Sequence, residues 1–298
     1  MWFVGQLNTH GDARYVKGRI INGIQYAFLA DGSNGLQIIN ISNASNPFLT
    51  FNYKTAGNVR EVYIDSVNGN EYVFISDLNK GLFILNVTNP SNPFLDTNIA
   101  FPGGVNSVNM KNGFLYAGLT QGIIKVLNVS SLPSTINEVF SYYPVNPVQH
   151  IETSGNTLFL VKGSAGLEIA DITNPSSPSF LSAFQSQGSC SDIKIAGSLG
   201  YIADGNAGIC IVNAGNPSQP YFVSQTNTHT NVIGLDYSPN FLFAAEYRDG
   251  ADVFNLFNPI EPEAFGYYVP QGDCYSVNYF KGKVLIANGQ NGLLILRF

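Results

Sequence analysis

The chain has 298 residues, a formal net charge of −6 and only 11% charged residues. A nucleic-acid-binding surface depends on clustered Lys and Arg, and the sequence contains no basic run, so we expect no nucleic-acid partner. No stretch approaches the ~18 consecutive apolar residues of a membrane-spanning helix, so we expect no insertion into a membrane.

Residues 1–8 are predicted to form a β-strand that belongs to the last repeat of the fold. They resemble residues 221–225, which close a later repeat, and the first inner strand starts only at about residue 12. The last repeat ends after its third strand, at residues 293–298. We therefore predict that the N-terminal strand completes this repeat, because the pairing covers sheet edges that would otherwise invite aggregation.

The clearest copy of the repeating unit is residues 72–95. Short runs of β-branched and aromatic residues flank a polar turn that ends at Gly81, which is the pattern of two strands joined by a tight turn. Pro90 and Pro93 cannot donate to a central ladder, so they mark the link to an outer strand. The apolar runs are too short for helices, and the unit is therefore predicted to be β-structure throughout.

The turn glycine of this unit recurs seven times, at intervals of 41 to 46 residues. The seven positions are Gly35, Gly81, Gly122, Gly166, Gly208, Gly250 and Gly292. A period of about 42 residues with roughly four strands per period is typical of propeller blades. The sequence therefore predicts an all-β fold, a seven-bladed β-propeller with four antiparallel strands per blade and the last blade closed by the N-terminal strand. We expect residues 1–298 to form a single domain, since no linker divides the repeats.

The third strand of each unit carries a recurring apolar motif. It reads LQIINI at residues 36–41, LFILNV at 82–87, IKVLNV at 124–129, LEIADI at 167–172 and ICIVNA at 209–214. Together with the ADG sequences at 30–32 and 203–205 and the links of the NPSxP type, this motif resembles the LVIVD-repeat β-propeller family over essentially the whole chain. Asn replaces the family's usual Asp in four of these copies, and only Asp171 keeps it.

The resemblance implies a propeller fold and a location outside the cell or at the cell surface, where many members of the family occur. It implies no activity, because the family shares no catalytic set that could be transferred to this chain. No charged and apolar leader precedes the first strand, so a cytoplasmic location stays open as the alternative.

The three cysteines are predicted to be free thiols. Cys190 and Cys210 fall on strands two apart in one sheet, and such strands are ~9–10 Å from each other, which exceeds the reach of a disulfide. Cys274 lies two repeats further on. The cysteine spacing matches no zinc motif, and no metal site or cofactor is predicted from it.

Polar residues are predicted to collect around the mouth of the central channel, on the face where the links into the inner strands emerge. The candidate ligand-binding residues are Asp31, Asp77, Asp204, Asn231 and Tyr275. A ring of this kind suits a polar small molecule or a calcium ion. The alternative is that the Asp side chains only accept hydrogen bonds from backbone N–H groups within their own turns.

A catalytic interpretation would depend on Glu61, His150, Asp192 and Glu246. The first three lie on different inner strands and are expected to face one another across the channel. Catalysis needs such groups within hydrogen-bonding reach and oriented by partners, whereas polar residues placed at random on inner strands would give the same pattern. We therefore interpret the chain first as a non-catalytic binding or scaffold propeller for a protein or glycan. An enzyme or a small-ligand site at the channel mouth is the alternative.

Overall fold

The computed structural model describes residues 1–297. Its seven sheets each contain four strands, and we number them as blades 1 to 7 along the chain. The chain opens with β1 (Trp2–Leu7). Blade 1 consists of β2 (Tyr15–Ile21), β3 (Ile24–Ala30), β4 (Leu36–Asn40) and β5 (Phe48–Tyr53). Blade 2 consists of β6 (Val59–Val67), β7 (Asn70–Asp77), β8 (Gly81–Asn86) and β9 (Phe94–Ile99). Blade 3 consists of β10 (Val105–Lys111), β11 (Phe114–Leu119), β12 (Ile124–Asn128) and β13 (Asn137–Tyr142).

The second half of the chain repeats the same order. Blade 4 consists of β14 (His150–Ser154), β15 (Thr157–Val161), β16 (Leu167–Asp171) and β17 (Ser179–Phe184). Blade 5 consists of β18 (Asp192–Ala196), β19 (Leu199–Ala203), β20 (Ile209–Asn213) and β21 (Tyr221–Thr226). Blade 6 consists of β22 (Gly234–Ser238), β23 (Phe241–Ala245), β24 (Ala251–Asn255) and β25 (Glu263–Tyr268). Blade 7 consists of β26 (Ser276–Phe280), β27 (Lys283–Ala287), β28 (Leu293–Arg297) and the N-terminal strand β1.

The N-terminal strand closes the ring, as predicted. It pairs antiparallel with β28 from Trp2 opposite Arg297 to Leu7 opposite Leu293, with a register shift between Phe3 and Gly5. The same irregularity occurs where β8 meets the outer strand of blade 2, between Ile84 and Leu85. Strand β1 therefore has the geometry of an ordinary fourth strand, and the predicted seven-bladed, all-β architecture is confirmed.

The turn glycines explain why the repeat is so easily read from the sequence. All seven have a positive φ, between 74° and 101°, which L-residues with side chains rarely adopt. At Gly35 a Cβ atom would also lie only 2.1 Å from the carbonyl oxygen of Tyr53 on the outer strand. Each blade therefore requires glycine at this point for its backbone conformation, and in every blade except blade 3 a side chain would also clash with a neighbouring segment.

Apolar side chains fill the spaces between neighbouring blades. Within residues 1–297 there are seven buried clusters, each formed by two adjacent blades. The cluster at the junction of the chain ends packs Leu285 and Ile295 of blade 7 against Leu29 and Ile39 of blade 1. Burying one such side chain stabilises a fold by roughly 1.5–3 kcal/mol, so side-chain packing closes the ring as well as the strand pairing.

Two smaller predictions concern the cysteines and membranes. Cys190, Cys210 and Cys274 are buried and free, as expected. Over residues 1–297 the structure contains no helix with the length and apolar character to cross a membrane.

Candidate functional site

The starts of the inner strands surround a cavity of about 400 Å³ at one end of the central channel, which we call the mouth pocket. Its walls come from six of the seven inner strands, the segments that lead into them and Leu78 in the turn after β7. The lining residues are Arg14, Tyr15, Asn58, Arg60, Glu61, Leu78, Gln149, His150, Ser191, Asp192, Ile233, Gly234, Tyr275 and Ser276. A volume of this size is typical of small-molecule sites.

Glu61, His150 and Asp192 meet at the base of the mouth pocket, as the order of the blades predicted. The Nδ1 atom of His150 lies 3.5 Å from Glu61 Oε2, and its Nε2 atom lies 3.2 Å from Asp192 Oδ1. All three residues are at least 94% buried. The imidazole is therefore held between two carboxylates with little access to water.

A second charged layer lies two residues further along the same inner strands. Lys194 Nζ is 2.8 Å from Asp192 Oδ1 and 3.3 Å from Glu152 Oε2. Glu152 Oε2 is also 3.7 Å from His150 Nε2. Two cations and three carboxylates thus form one connected network that runs down the channel.

The network favours the charged forms of His150, Asp192 and Glu152. Burial by itself would lower the pKa of His150, but the carboxylates of Asp192 and Glu61 outweigh it and raise the pKa to about 9. Burial would raise the pKa values of Asp192 and Glu152, but Lys194 and then His150 outweigh it and lower both. His150 is therefore a cation at neutral pH, which suits it to donate hydrogen bonds.

Two arginines on the wall of the mouth pocket were not anticipated from the sequence. The Arg14 guanidinium stacks over the Tyr275 ring at 4.0 Å from its centroid and pairs with Asp12. Arg60 has only a 3.5 Å contact with Gln149 Oε1. Among the residues that the structure describes, no carboxylate forms an ion pair with Arg60.

Burial lowers the pKa of Arg60 from its ordinary value. Its guanidinium is therefore partly desolvated, and the charge of the Glu61 carboxylate opposes this effect without outweighing it. The one sequence signal for this site was the position of each arginine directly before a channel residue, Arg14 before Tyr15 and Arg60 before Glu61.

The three Asp residues predicted near the mouth lie in their turns, fully buried. Asp77 Oδ1 accepts hydrogen bonds from the backbone N–H groups of Asn79 and Lys80 at 2.8 and 2.9 Å. Asp204 Oδ2 accepts one from Gly188 N–H at 2.9 Å, and Asp31 Oδ2 accepts one from Asn34 Nδ2 at 3.0 Å. Only the Asp77 contacts come from backbone N–H groups of its own turn, because Gly188 lies in the link before β18 and Asn34 donates from its side chain. None of the three residues lines the mouth pocket.

Of the other candidate residues, one lines the mouth pocket and two lie outside it. Tyr275 lines the mouth pocket. Asn231 lies in the link before β22 and does not line the pocket, and Glu246 lies at the end of β23, away from the His150 cluster. Glu246 instead adjoins Asp252 and His229.

Comparison with known proteins agrees with this architecture. The model of the LVIVD repeat matches residues 19–55, 56–100, 147–185 and 187–228, which together are more than half of the chain. The chain belongs to the LVIVD-repeat family. The four matches to the LVIVD repeat correspond to blades 1, 2, 4 and 5, and the structure shows that blades 3, 6 and 7 have the same four-stranded form.

A solved structure supports the fold of this LVIVD-repeat protein. The computationally designed protein Ika8 aligns over 100% of both chains with a TM-score of 0.71 at 8% sequence identity. At this identity the likeness concerns the fold alone. No curated protein gives a significant match.

Proposed function

We propose that this LVIVD-repeat protein is a binding protein whose mouth pocket takes an acidic sugar, such as the uronic-acid end of a glycan. The observation that carries the proposal is Arg60, a partly desolvated guanidinium on the pocket wall with no carboxylate partner among residues 1–297. A guanidinium binds a carboxylate through two parallel hydrogen bonds. An anionic ligand would therefore supply the close ion-pair partner that Glu61, acting only at longer range, does not provide.

The rest of the pocket suits the body of a sugar. Tyr15 and Tyr275 line the wall, and aromatic rings offer an apolar face together with a polar tip. Glu61 and Asp192 at the base are hydrogen-bond acceptors for hydroxyl groups. The cavity of about 400 Å³ has room for one or two sugar rings.

The charge state of the pocket base favours binding over acid–base catalysis. A general base works best when its pKa lies near the working pH, whereas the pKa of His150 is raised to about 9 by Asp192 and Glu61 against the effect of burial. The network around Asp192 holds its carboxylate ionised through Lys194. We therefore assign Glu61, His150 and Asp192 to ligand recognition, with enzymatic use of the same pocket as the alternative.

Substituting the unpaired arginine tests this assignment. We expect the Arg60→Met variant to bind glucuronate at least tenfold more weakly than the wild type, because a charge-assisted hydrogen bond contributes roughly 1.5–3 kcal/mol. Isothermal titration calorimetry with glucuronate and with glucose would measure the effect.

The matched control is Arg19→Met, because Arg19 is already paired with Glu71 at 2.9 Å and lies outside the pocket. This control should bind glucuronate as the wild type does. Equal affinity for glucose and glucuronate in the wild type, or an Arg60→Met variant with unchanged affinity, would contradict the proposal.

A protein partner on the outer rim is the second candidate function. The outer strands carry exposed aromatic residues within their first three positions in several blades, among them Phe48, Phe94, Phe180, Tyr221 and Phe265. Exposed aromatic side chains are common at protein interfaces. If a partner uses this rim, hydrogen exchange in the native assembly should slow in β5, β9 and β21 relative to the isolated protein; slowing confined to the inner strands would count against it.

A glycan ligand or a surface partner is consistent with a location outside the cell or at its surface. We propose that location, with all seven blades acting as one binding domain. The proposal is supported by membership of the LVIVD-repeat family and by the chemistry of the mouth pocket.

A further inference from the structure

Blade 6 contains a compact group of metal-ligating side chains outside the mouth pocket. Glu246 follows β23, Asp252 lies in β24 and His229 lies in the link before β22. One ligand atom from each of these residues lies within 4.8 Å of the other two, and His229 Nδ1 is 2.7 Å from Asp252 Oδ2. Glu246 and Asp252 are buried, whereas the His229 side chain is 61% exposed and closes the group on the solvent side.

The two buried carboxylates are short of positive partners. Glu246 is 1% exposed; its Oε2 atom accepts a hydrogen bond from Thr230 N–H at 2.9 Å, but its Oε1 atom is buried without a hydrogen-bond partner. In the described part of the chain, neither acid has a Lys or Arg within ion-pair distance. A buried carboxylate left in this condition is costly.

The pKa of Glu246 reflects the same lack of a positively charged partner. Burial, followed by a hydrogen bond to Asp252 that only the protonated acid can donate and by the charge of Asp252, raises the pKa of Glu246 to about 7. The Asp252 carboxylate raises the pKa of His229 as well. The two acids therefore compete for the charge of one exposed imidazole.

Blade 4 shows how the same two positions are neutralised when the chain supplies its own cation. Lys162 stands where blade 6 has Glu246, and Glu168 stands where it has Asp252; in both blades the backbone N–H of the first position bonds to the turn glycine, Gly166 or Gly250. Lys162 Nζ lies 2.8 Å from Glu168 Oε2, and both side chains are at least 95% buried. In blade 6 the carboxylate of Glu246 replaces this cation. Among the three grouped residues, His229 alone can carry a positive charge.

We propose that His229, Glu246 and Asp252 form a binding site for a divalent transition-metal ion of the zinc type. Zinc takes imidazole nitrogen and carboxylate oxygen together, often from three protein residues with one position left for water. Calcium prefers a larger set of oxygen ligands only, so the imidazole distinguishes between the two ions. The bound ion would supply blade 6 with the cation that Lys162 provides in blade 4, and would tie the link before β22 to the blade.

Titration of the metal-free protein with zinc chloride tests this site. We expect one zinc ion to bind per chain at pH 8 and to raise the melting temperature. The Glu246→Gln and His229→Ala variants should bind zinc at least ~10-fold more weakly, since even the loss of an outer partner of a metal ligand costs about that much. Because His229 is exposed, its substitution leaves the fold intact and keeps the test valid if Glu246→Gln unfolds.

The matched control is His10→Ala. His10 is exposed and precedes blade 1 at the position that His229 occupies before blade 6, but the counterpart of Asp252 there is Gln37. This variant should bind zinc as the wild type does.

Titrations at two pH values and competition between zinc and calcium test the chemistry of the site. Zinc affinity should fall by about tenfold or more between pH 8 and pH 6, because Glu246 and His229 must lose their protons to ligate. No zinc binding by the wild type, undiminished binding by His229→Ala, or displacement of zinc by an equal concentration of calcium would each overturn the proposal.

Discussion

A protein that lacks residues 1–8 should melt well below the intact chain or form a domain-swapped oligomer. The deletion removes β1 and leaves β28 with an unpaired edge over five residue pairs. If each lost backbone hydrogen bond contributes about 1 kcal/mol, the free energy of unfolding falls by on the order of 5 kcal/mol, and the melting temperature of a chain this size drops by roughly 5–10 °C. Differential scanning calorimetry and light scattering would measure both outcomes.

Two controls separate strand pairing from side-chain loss at the N-terminus. Replacing the exposed Trp2 and Phe3 with serine should change the melting temperature little, because their side chains are more than half exposed. Gly5→Val should resemble the deletion, since a Cβ atom at Gly5 would lie 2.1 Å from the carbonyl oxygen of Ala44. A truncated protein that stays monomeric with an unchanged melting temperature would refute closure by β1.

The channel network should make the protein less stable in alkali. The pKa of His150 is about 9 in the folded state, because Asp192 and Glu61 outweigh the effect of burial, and it is near 6.5 in an unfolded chain. A raised pKa means that the folded protein holds the proton more tightly. The stabilisation is therefore complete below about pH 6.5 and is lost as the pH rises through about 9, with a total of about 3 kcal/mol.

Urea unfolding at pH 6 and at pH 9.5 would measure this change, and the His150→Gln variant isolates its source. The variant should be less stable than the wild type at pH 6, and the difference between the two should shrink towards pH 9.5. Other groups that titrate in this range, Glu246 and His229 among them, contribute equally to both proteins. The control is His10→Gln, at an exposed residue, and its stability should change with pH as that of the wild type does. A His150→Gln variant that loses as much stability as the wild type between pH 6 and pH 9.5 would contradict the assignment of this loss to His150.

The spacing of the repeats was enough to predict that Glu61, His150 and Asp192 lie close together. In a closed propeller the starts of all inner strands converge on one axis, so residues at matching points of different repeats must lie near one another. Their side-chain direction could still have been wrong, because a shift of one residue along a strand turns a side chain to the other face of the sheet.

Arg60 and the blade 6 acids illustrate what this reasoning misses. Arg60 directly precedes Glu61, and strand alternation alone would direct the two side chains apart. Both nevertheless line the mouth pocket, and the register of the strand shifts between Val59 and Glu61. The group formed by Glu246, Asp252 and His229 depends on the path of the link between β21 and β22. Neither a local bulge nor the path of a link has a strong sequence signal.

The sequence by itself determined the number of blades, the four strands of each and the closure of the ring. These follow from a short pattern that must recur because every blade needs a glycine with positive φ at its turn and an apolar third strand for its core. Only the tertiary structure decided which charges meet. The members of each charged group come from strands or blades that are distant along the chain, and their separations depend on register shifts and link paths that local residue preferences do not encode.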